Sequence, residues 1–300
     1  YQRRVRGMHI KINFVGSFTG VQCSEETTAI DVIQFILQRS DIPISYASMC
    51  AIMEIRSDNF GYPVPAEALI MKYSNSQLHF RVLAMPTTMA VEELHENFLE
   101  IIYSQIHRLV TTRVWSLNDE QVIMLAAFKC AIEFGLFVQE KHKVGFLTNC
   151  INDYVPGDFV IAFKEKDLQQ KIIDQWYKQT QMMLNQSRQK TIVEYVKYCQ
   201  QKVVQFGSVT FVARMIKQKE KSVDTYCYVC VSLDGVMILN PDGEKIVSFG
   251  HEGQIKYPTV GSTKLVITGA GDTYIIEMNG IQAMKSIQEF LDKVKVEIYI

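Results

Sequence analysis

Two cysteines three residues apart have the spacing that most resembles a metal or redox site in this chain. Cys227 and Cys230 lie among alternating apolar residues, and an odd spacing on a strand sends the two side chains to opposite faces. A zinc site of this kind also requires a second pair, and none lies nearby. His95 and Glu96 begin like a zinc-protease motif, but Leu99 stands where the second histidine is needed. The sequence therefore predicts no metal site and no cofactor.

The string Gly269-Ala270-Gly271-Asp272 has the composition of an anion hole in sugar kinases. That chemistry requires the glycines at a helix N-terminus, where backbone N–H groups meet the phosphate. Apolar and polar residues alternate on both sides of the string, a pattern typical of strands. We therefore predict the tip of a hairpin. Because no nucleophile-elbow string is present either, no residue is assigned a catalytic role, and the chain is predicted not to be an enzyme.

Three lysines, Lys217, Lys219 and Lys221, form the densest basic cluster, with Glu220 between the last two. They lie between two predicted strands, where we expect a protruding loop. Most charge runs are simply solvated, and Glu220 reduces the positive charge of this one. The functional alternative is a patch that binds anionic membrane lipids such as phosphoinositides. Both interpretations stay open.

The composition narrows the class of protein. The chain has 300 residues, of which 48% are hydrophobic and 21% charged, so two or three lobes with cores of their own are expected. A net charge of −1 argues against a nucleic-acid partner. Seven scattered cysteines, an odd number, favour reduced thiols in a cytoplasmic protein. No apolar run approaches the ~18–20 residues that a membrane span needs.

Hydrophobic periodicity divides the chain into three lobes. Residues 8–75 begin with alternation from Met8 to Phe14, a turn and a second strand, and Thr28 and Asp31 then form a helix capping box. This order predicts a β-grasp lobe. Residues 77–205 turn helical, with apolar positions about 3.6 apart over 88–111, a capped helix from Asn118 to Gly135, and a further helical pattern over 165–204. This lobe is predicted to be a helical bundle.

Residues 207–300 return to short alternating strands separated by turn signals such as Asp234-Gly235. Seven strands are expected, followed by one helix. The last helix presents an apolar face made of Ile281, Met284, Ile287, Leu291 and Val294. Seven strands and a closing helix are the order of a pleckstrin-homology or phosphotyrosine-binding barrel. The predicted fold class is therefore a multi-lobe α+β protein.

This order of lobes, together with five residue strings, resembles the FERM domain. FERM domains combine a ubiquitin-like lobe, an acyl-CoA-binding-protein-like helical lobe and a PH/PTB-like lobe. The similar strings are Leu78–Val82, Leu125–Phe128 with Ile132–Gly135, Tyr154–Pro156 followed by Trp176, and Gln205–Phe211. Residues 231–249 look most similar to the FERM modules of tail-homology myosins and of talin. Talin-like modules also carry a lysine-rich loop where Lys217, Lys219 and Lys221 stand.

The resemblance implies a peptide groove in the third lobe, where an extended partner adds to a free strand edge beside the last helix. The residues that correspond to this groove are Gln254, Ile255, Lys256, Tyr257, Ile281, Met284, Gln288 and Leu291. Met284 and Leu291 fit an ordinary core equally well, because any closing helix must bury its apolar stripe.

The resemblance further implies a binding module at the cytoplasmic face of the plasma membrane, associated with the cytoskeleton. Expected partners are cytoplasmic tails of membrane receptors, adaptor or cargo proteins, and anionic lipids. The parent protein would be a larger myosin- or talin-like protein. A second possibility is an autoinhibitory lobe that masks a neighbouring motor, and a third is the regulatory domain of an enzyme.

Overall fold

The computed structural model describes residues 7–14, 16–182, 186–250, 254–258, 261–269 and 271–298. The chain divides into two compact units. One combines residues 1–89 with 207–241 and 245–300, and the other comprises residues 90–206 with 242–244. Both β-sheets lie in the first unit, and the second unit is helical. The lobe boundaries near residues 76 and 206 stay predictions.

The sheet near the N-terminus has five strands and one long helix. The elements are β1 (Met8–Phe14), β2 (Ser17–Cys23), α1 (Ala29–Arg39), β3 (Cys50–Ile55), β4 (Gly61–Pro63) and β5 (Gln77–Val82). The strand order is β2-β1-β5-β3-β4, in which β1 and β5 run parallel and the other neighbours antiparallel. Helix α1 begins at the predicted capping box, in which Thr28 Oγ1 accepts from the Asp31 N–H and the Asp31 carboxylate accepts from the Thr28 N–H. The β-grasp arrangement is confirmed.

The sheet near the C-terminus has the seven predicted strands. They are β6 (Val209–Gln218), β7 (Lys221–Ser232), β8 (Gly235–Leu239), β9 (Lys245–Phe249), β10 (Gln254–Lys256), β11 (Lys264–Gly269) and β12 (Asp272–Glu277). The order β10-β11-β12-β6-β7-β8-β9 leaves β10 and β9 at the two edges. All pairs are antiparallel. Helix α7 (Ile281–Ile298) follows β12 and buries the whole predicted apolar face.

The two sheets of this unit share one apolar core. Its members come from β3 and β4, from the segment after β5, from the inner face of the seven-stranded sheet and from α7. Phe60 lies next to this core, with its ring centroid 6.0 Å from that of Phe211. A Cβ on Gly280 would lie 2.8 Å from the Phe60 ring, and φ there is +76°, so glycine fits this turn before α7 best.

The helical unit contains α2 (Glu96–Thr111), α3 (Asp119–Phe134), α4 (Gly157–Ala162), α5 (Glu165–Met182) and α6 (Arg188–Lys202). The helix predicted over 88–111 begins only at Glu96. Residues Val91–Glu93 form a single 3-10 turn instead. Val91 is buried in that turn, so its apolar side chain fits the spacing of a helix although the residue is not part of one. The pattern predicted over 165–204 is two helices, because Ser187 caps a new helix by accepting from the Lys190 N–H.

Buried polar groups fix the connection between α3 and α5. The carbonyl oxygen of the Gln169 side chain accepts from the Gly145 N–H at 2.8 Å and from the Leu147 N–H at 3.3 Å. Its amide donates to Thr148 Oγ1 and to Glu165 Oε1, each at 2.9 Å. One side chain therefore makes three hydrogen bonds to a segment that lacks regular structure, and a fourth within α5.

Candidate functional site

The edge strand β10 lies where the resemblance to FERM domains predicts a peptide-binding edge. Gly269 and Asp272 pair directly across a two-residue turn, so they share both backbone hydrogen bonds of a hairpin. Hydrogen-bonded and non-hydrogen-bonded pairs alternate along an antiparallel ladder. Gln254 and Lys256 therefore form hydrogen-bonded pairs with residues of β11, whereas the N–H and C=O of Ile255 point away from the sheet. The free backbone groups of this edge are therefore those of Ile255. The hairpin predicted at Gly269–Asp272 is confirmed.

Helix α7, which forms the other side of the predicted groove, exposes fewer of the predicted groove residues than expected. Ile281, Met284 and Leu291 are all at most 3% exposed and belong to the core. Their apolar side chains stabilise the closed barrel, so they present no surface to a partner. Gln288 is half-buried, and its side-chain oxygen accepts a hydrogen bond from the Tyr257 hydroxyl. Among the predicted groove residues, Tyr257 and Gln288 are thus the pair that connects strand edge to helix.

Charged residues of both signs lie near Tyr257. Burial raises the pKa of its hydroxyl first, and the carboxylates of Asp292 and Glu289 raise it further. The ammonium nitrogen of Lys285 lies 5.9 Å from the ring centroid, within the range of a cation–π contact. The hydroxyl therefore stays protonated at neutral pH and acts as a hydrogen-bond donor. Ile255 and Tyr257 are both partly buried against the core, whereas Lys256 is exposed.

The lysine cluster lies at the turn between β6 and β7, the first two strands of this sheet, and the turn is tight. Lys217 stands on β6, and Gln218 pairs directly with Lys221, so the turn holds two residues. The Lys219 ammonium lies 2.9 Å from an Asp272 carboxylate oxygen, which raises the pKa of Lys219 and offsets its charge. Lys221 is exposed, and Lys217 is half-buried. The register places Lys217 and Lys221 on opposite faces of the hairpin, and Lys219 already has an anionic partner.

The cysteine pair lies within β7 and shows no ligand geometry. Cys227 belongs to the core, whereas Cys230 Sγ lies 3.6 Å from Thr210 Oγ1 on the neighbouring strand. All seven cysteines are free thiols, six of them buried and Cys150 half-buried. Over the residues that the structure describes, no three His, Cys, Asp or Glu side chains are close enough together to hold a metal ion.

The helical unit contains an open cleft of about 580 Å³ between the segment after α3 and helix α5. Its walls include Phe137, His142, Val144, Ile173 and Tyr177. The His142 ring contacts the Trp176 ring at a tilt of 31°, with centroids 4.3 Å apart, and its Nδ1 accepts from the Val138 N–H. Sequence reasoning did not anticipate this cleft, because one wall, with Phe137, His142 and Val144, is formed by an irregular segment. None of the described helices has the length and apolar character needed to cross a bilayer.

Comparisons with known proteins agree with this architecture. The family model of the FERM central domain matches residues 90–211. A curated relative, FERM domain-containing protein C of Dictyostelium discoideum, is 21% identical over 255 residues. That alignment covers 83% of this chain and 16% of the relative, so the chain spans about one sixth of that protein. The resemblance to FERM modules predicted from the sequence is thereby confirmed.

Solved structures show the same fold over almost the entire chain. The complex of the FERM and C-terminal domains of Drosophila Merlin has a TM-score of 0.72 at 14% identity, covering 97% of this chain and 96% of that one. The MyTH4-FERM domain of human myosin 7b, solved with the PDZ3 domain of harmonin-a, has a TM-score of 0.73 at 15% identity, covering 98% and 61%. A MyTH4-FERM domain of Dictyostelium discoideum myosin VII reaches 0.69 at 14% identity, covering 98% and 60%. The fold is that of a FERM module, and the similarity to talin stays a prediction.

Proposed function

We propose that this chain is a non-enzymatic binding module that links cytoplasmic tails of membrane receptors, or adaptor and cargo proteins, to the actin cytoskeleton. In this proposal it belongs to a larger myosin- or talin-like protein and acts at the cytoplasmic face of the plasma membrane. The observation that carries the proposal is the free backbone edge of β10 beside α7. An extended segment can pair with such an edge through main-chain hydrogen bonds.

The side chains around β10 are suited to selecting such a segment. Ile255 and Tyr257 are partly buried beside the core, so neighbouring partner side chains can contact apolar surface. The bond between Tyr257 and Gln288 ties the end of the strand to α7 and narrows the groove at that end. In this proposal main-chain pairing supplies affinity, and the width of the groove supplies specificity.

The relatives support a role in protein binding. The FERM domain of Merlin was solved with a C-terminal domain, and the MyTH4-FERM domain of myosin 7b with a PDZ domain. The Merlin complex also favours the second candidate function, in which the module holds another part of the same protein and masks it. Both functions require a protein-binding surface, and they differ in whether the partner is in the same chain.

The test compares Ile255→Pro with Ile255→Val in the 300-residue chain. Proline removes the outward N–H of the edge, whereas valine keeps both the backbone and most of the side chain. Proline at Lys256 is a poorer probe, because the Lys256 N–H points into the sheet and bonds to β11. Binding is measured by biolayer interferometry against immobilised cytoplasmic tails of single-pass receptors, after thermal melts have confirmed folding.

We expect Ile255→Pro to weaken binding by about tenfold or more, because the loss of the outward N–H and the altered strand geometry both reduce pairing with the partner. Ile255→Val is expected to stay within about threefold of the parent chain. If the parent chain binds no tail but binds a segment of its own full-length protein, masking is the function. Equal binding by both variants would exclude the β10 edge.

A further inference from the structure

The strand β2 differs from the other edge strands that the structure describes. Edge strands are normally protected against unwanted pairing by short length, lysine, proline or a bulge. Strand β4 has three residues and ends in Pro63, β10 has three and includes Lys256, and β9 begins with Lys245 and has an irregular register with β8. By contrast β2 has seven residues, Ser17–Cys23, without charge or proline, and pairs with β1 in unbroken register. This edge carries none of these protections.

The direction of the free backbone groups on β2 follows from its hairpin. Phe14 pairs with Ser17 across two residues, so that pair shares both hydrogen bonds. Alternation then leaves the N–H and C=O groups of Phe18, Gly20 and Gln22 pointing away from β1. Three donors and three acceptors along one edge are enough to hold an extended segment of about five residues or more.

The side chains around these groups indicate what kind of segment fits. Phe18 is 66% exposed and offers apolar contact on the outer face of the sheet. On the same face the exposed Lys11 stands opposite Gly20 in the ladder. On the helix side the exposed Arg39 donates from Nη1 to Thr19 Oγ1 at 3.4 Å. One cation therefore flanks the strand on each face.

The charges also argue against a second copy of the chain as the partner. Antiparallel pairing of two β2 strands about Gly20 would gather four cations, Lys11 and Arg39 of each copy, around a strand pair that contains no carboxylate, and this excess of like charge is unfavourable. The carboxylates nearest in sequence to the strand end, Glu25 and Glu26, lie beyond Cys23. An acidic segment instead places opposite charges beside both cations.

We propose that the β2 edge is a second partner-binding site, which takes an extended protein segment carrying acidic side chains. It is separate from the β10 edge, since the two strands belong to different sheets. The partner adds as an outer strand, its backbone pairs with Phe18, Gly20 and Gln22, and its carboxylates contact Lys11 and Arg39.

The test uses a capped nine-residue peptide of three Val-Glu-Glu repeats, which presents carboxylates on both faces of an extended strand. It is titrated into the isotope-labelled 300-residue chain and followed by amide NMR shifts. The matched probe has lysine at every glutamate position. We expect the glutamate peptide to shift the amides of Phe18, Gly20 and Gln22, and to bind about tenfold more tightly than the lysine peptide at low salt. Equal affinity for both peptides would overturn the proposed charge selection.

Gly20→Pro and Gly20→Ala separate backbone pairing from other contacts. An alanine Cβ at this position would lie 3.9 Å from His9 Nδ1, an ordinary contact, and proline is tolerated where an edge N–H faces outward. The proline variant is expected to lose about tenfold in affinity for the glutamate peptide, and the alanine variant less than twofold. Equal binding by the two would overturn the proposal.

Two further measurements keep the proposal testable if the proline variant does not fold. The double variant Lys11→Glu, Arg39→Glu is expected to reverse the preference in favour of the lysine peptide, and an unchanged preference would contradict the site. Sedimentation also tests whether two copies of the chain pair through β2. Such a dimer would persist in Gly20→Ala and disappear in Gly20→Pro, and we expect the parent chain to form no dimer of this kind. Such a dimer would show that a second copy, and not an acidic partner, pairs with β2.

Discussion

The helical unit and the sheet-containing unit use polar groups in different ways. Among the described residues, eight polar side chains are buried. Six of them, His142, Gln169, Gln179, Thr180, Thr191 and Gln205, lie in the helical unit, and only His79 and Ser208 lie in the sheet-containing unit. The sheets have an almost entirely apolar interior, and their unsatisfied backbone groups lie at the strand edges.

This difference separates stability from binding. Helices satisfy most backbone hydrogen bonds internally, so the connections between them need side chains such as Gln169 to pair the remaining groups. Sheets leave donors and acceptors along their edges, where another chain can pair with them. We therefore expect substitutions of buried polar residues in the helical unit to change stability, and substitutions at the strand edges to change partner affinity.

The largest effect on stability is expected from Gln169→Ala. The substitution leaves the N–H groups of Gly145 and Leu147 without their partner in a buried segment, which costs about 2–4 kcal/mol. Gln170→Ala is the matched control, because Gln170 is exposed and its amide donates to Asp174 at the surface. It is expected to change stability by less than about 0.5 kcal/mol. The stability of both variants is measured by urea unfolding, followed by tryptophan fluorescence. Equal unfolding midpoints would show that the hydrogen bonds of Gln169 do not stabilise the helical unit.

The next effect concerns pH. Burial, and then the charge of Lys129, lower the pKa of His107 to about 4, while its Nε2 donates to the Asp153 carbonyl at 2.7 Å. The pKa of this histidine in the unfolded chain is about 6.5. At a pH between about 6.5 and about 4, the unfolded chain therefore binds a proton at His107 that the folded chain does not. Stability therefore falls as the pH decreases through this range, by about 3 kcal/mol from this residue.

The control for His107 is His107→Gln, which keeps a side-chain N–H donor but does not titrate in this range. Unfolding free energies of both proteins are measured from pH 7 to pH 4.5. The parent chain is expected to lose more stability than the variant over this interval. Parallel pH profiles would show that protonation of His107 is not coupled to unfolding.

The smallest effect is expected in the sheet-containing unit, on membrane binding by the three lysines at the turn between β6 and β7. Replacing Lys217, Lys219 and Lys221 together with glutamine is predicted to weaken sedimentation with phosphatidylserine vesicles by about fivefold at low salt, with less effect at high salt. Lys219→Gln alone is expected to contribute least, because Asp272 already neutralises Lys219. Unchanged sedimentation of the triple variant would leave a solvated turn with no role at the membrane.

Local signals predicted much of the fold because their physical cause is local. The capping residues Thr28 and Asn118 fix helix starts through bonds to residues three positions on, and the apolar face of α7 is visible as a period. The direction of the Ile255 N–H could not be predicted in this way, since it depends on the register of β10 with β11. The burial of Met284 likewise depends on how completely α7 closes the barrel.

Amide-resolved hydrogen exchange tests the central claim, that partners bind through the outward backbone groups of β10, most directly. In the free chain we expect the Lys256 amide to exchange more slowly than the Ile255 amide, because only the former bonds to β11. A bound receptor-tail peptide should then slow exchange at Ile255 by about tenfold or more and leave Lys256 nearly unchanged. Fast exchange at Ile255 in the presence of saturating peptide would contradict the claim.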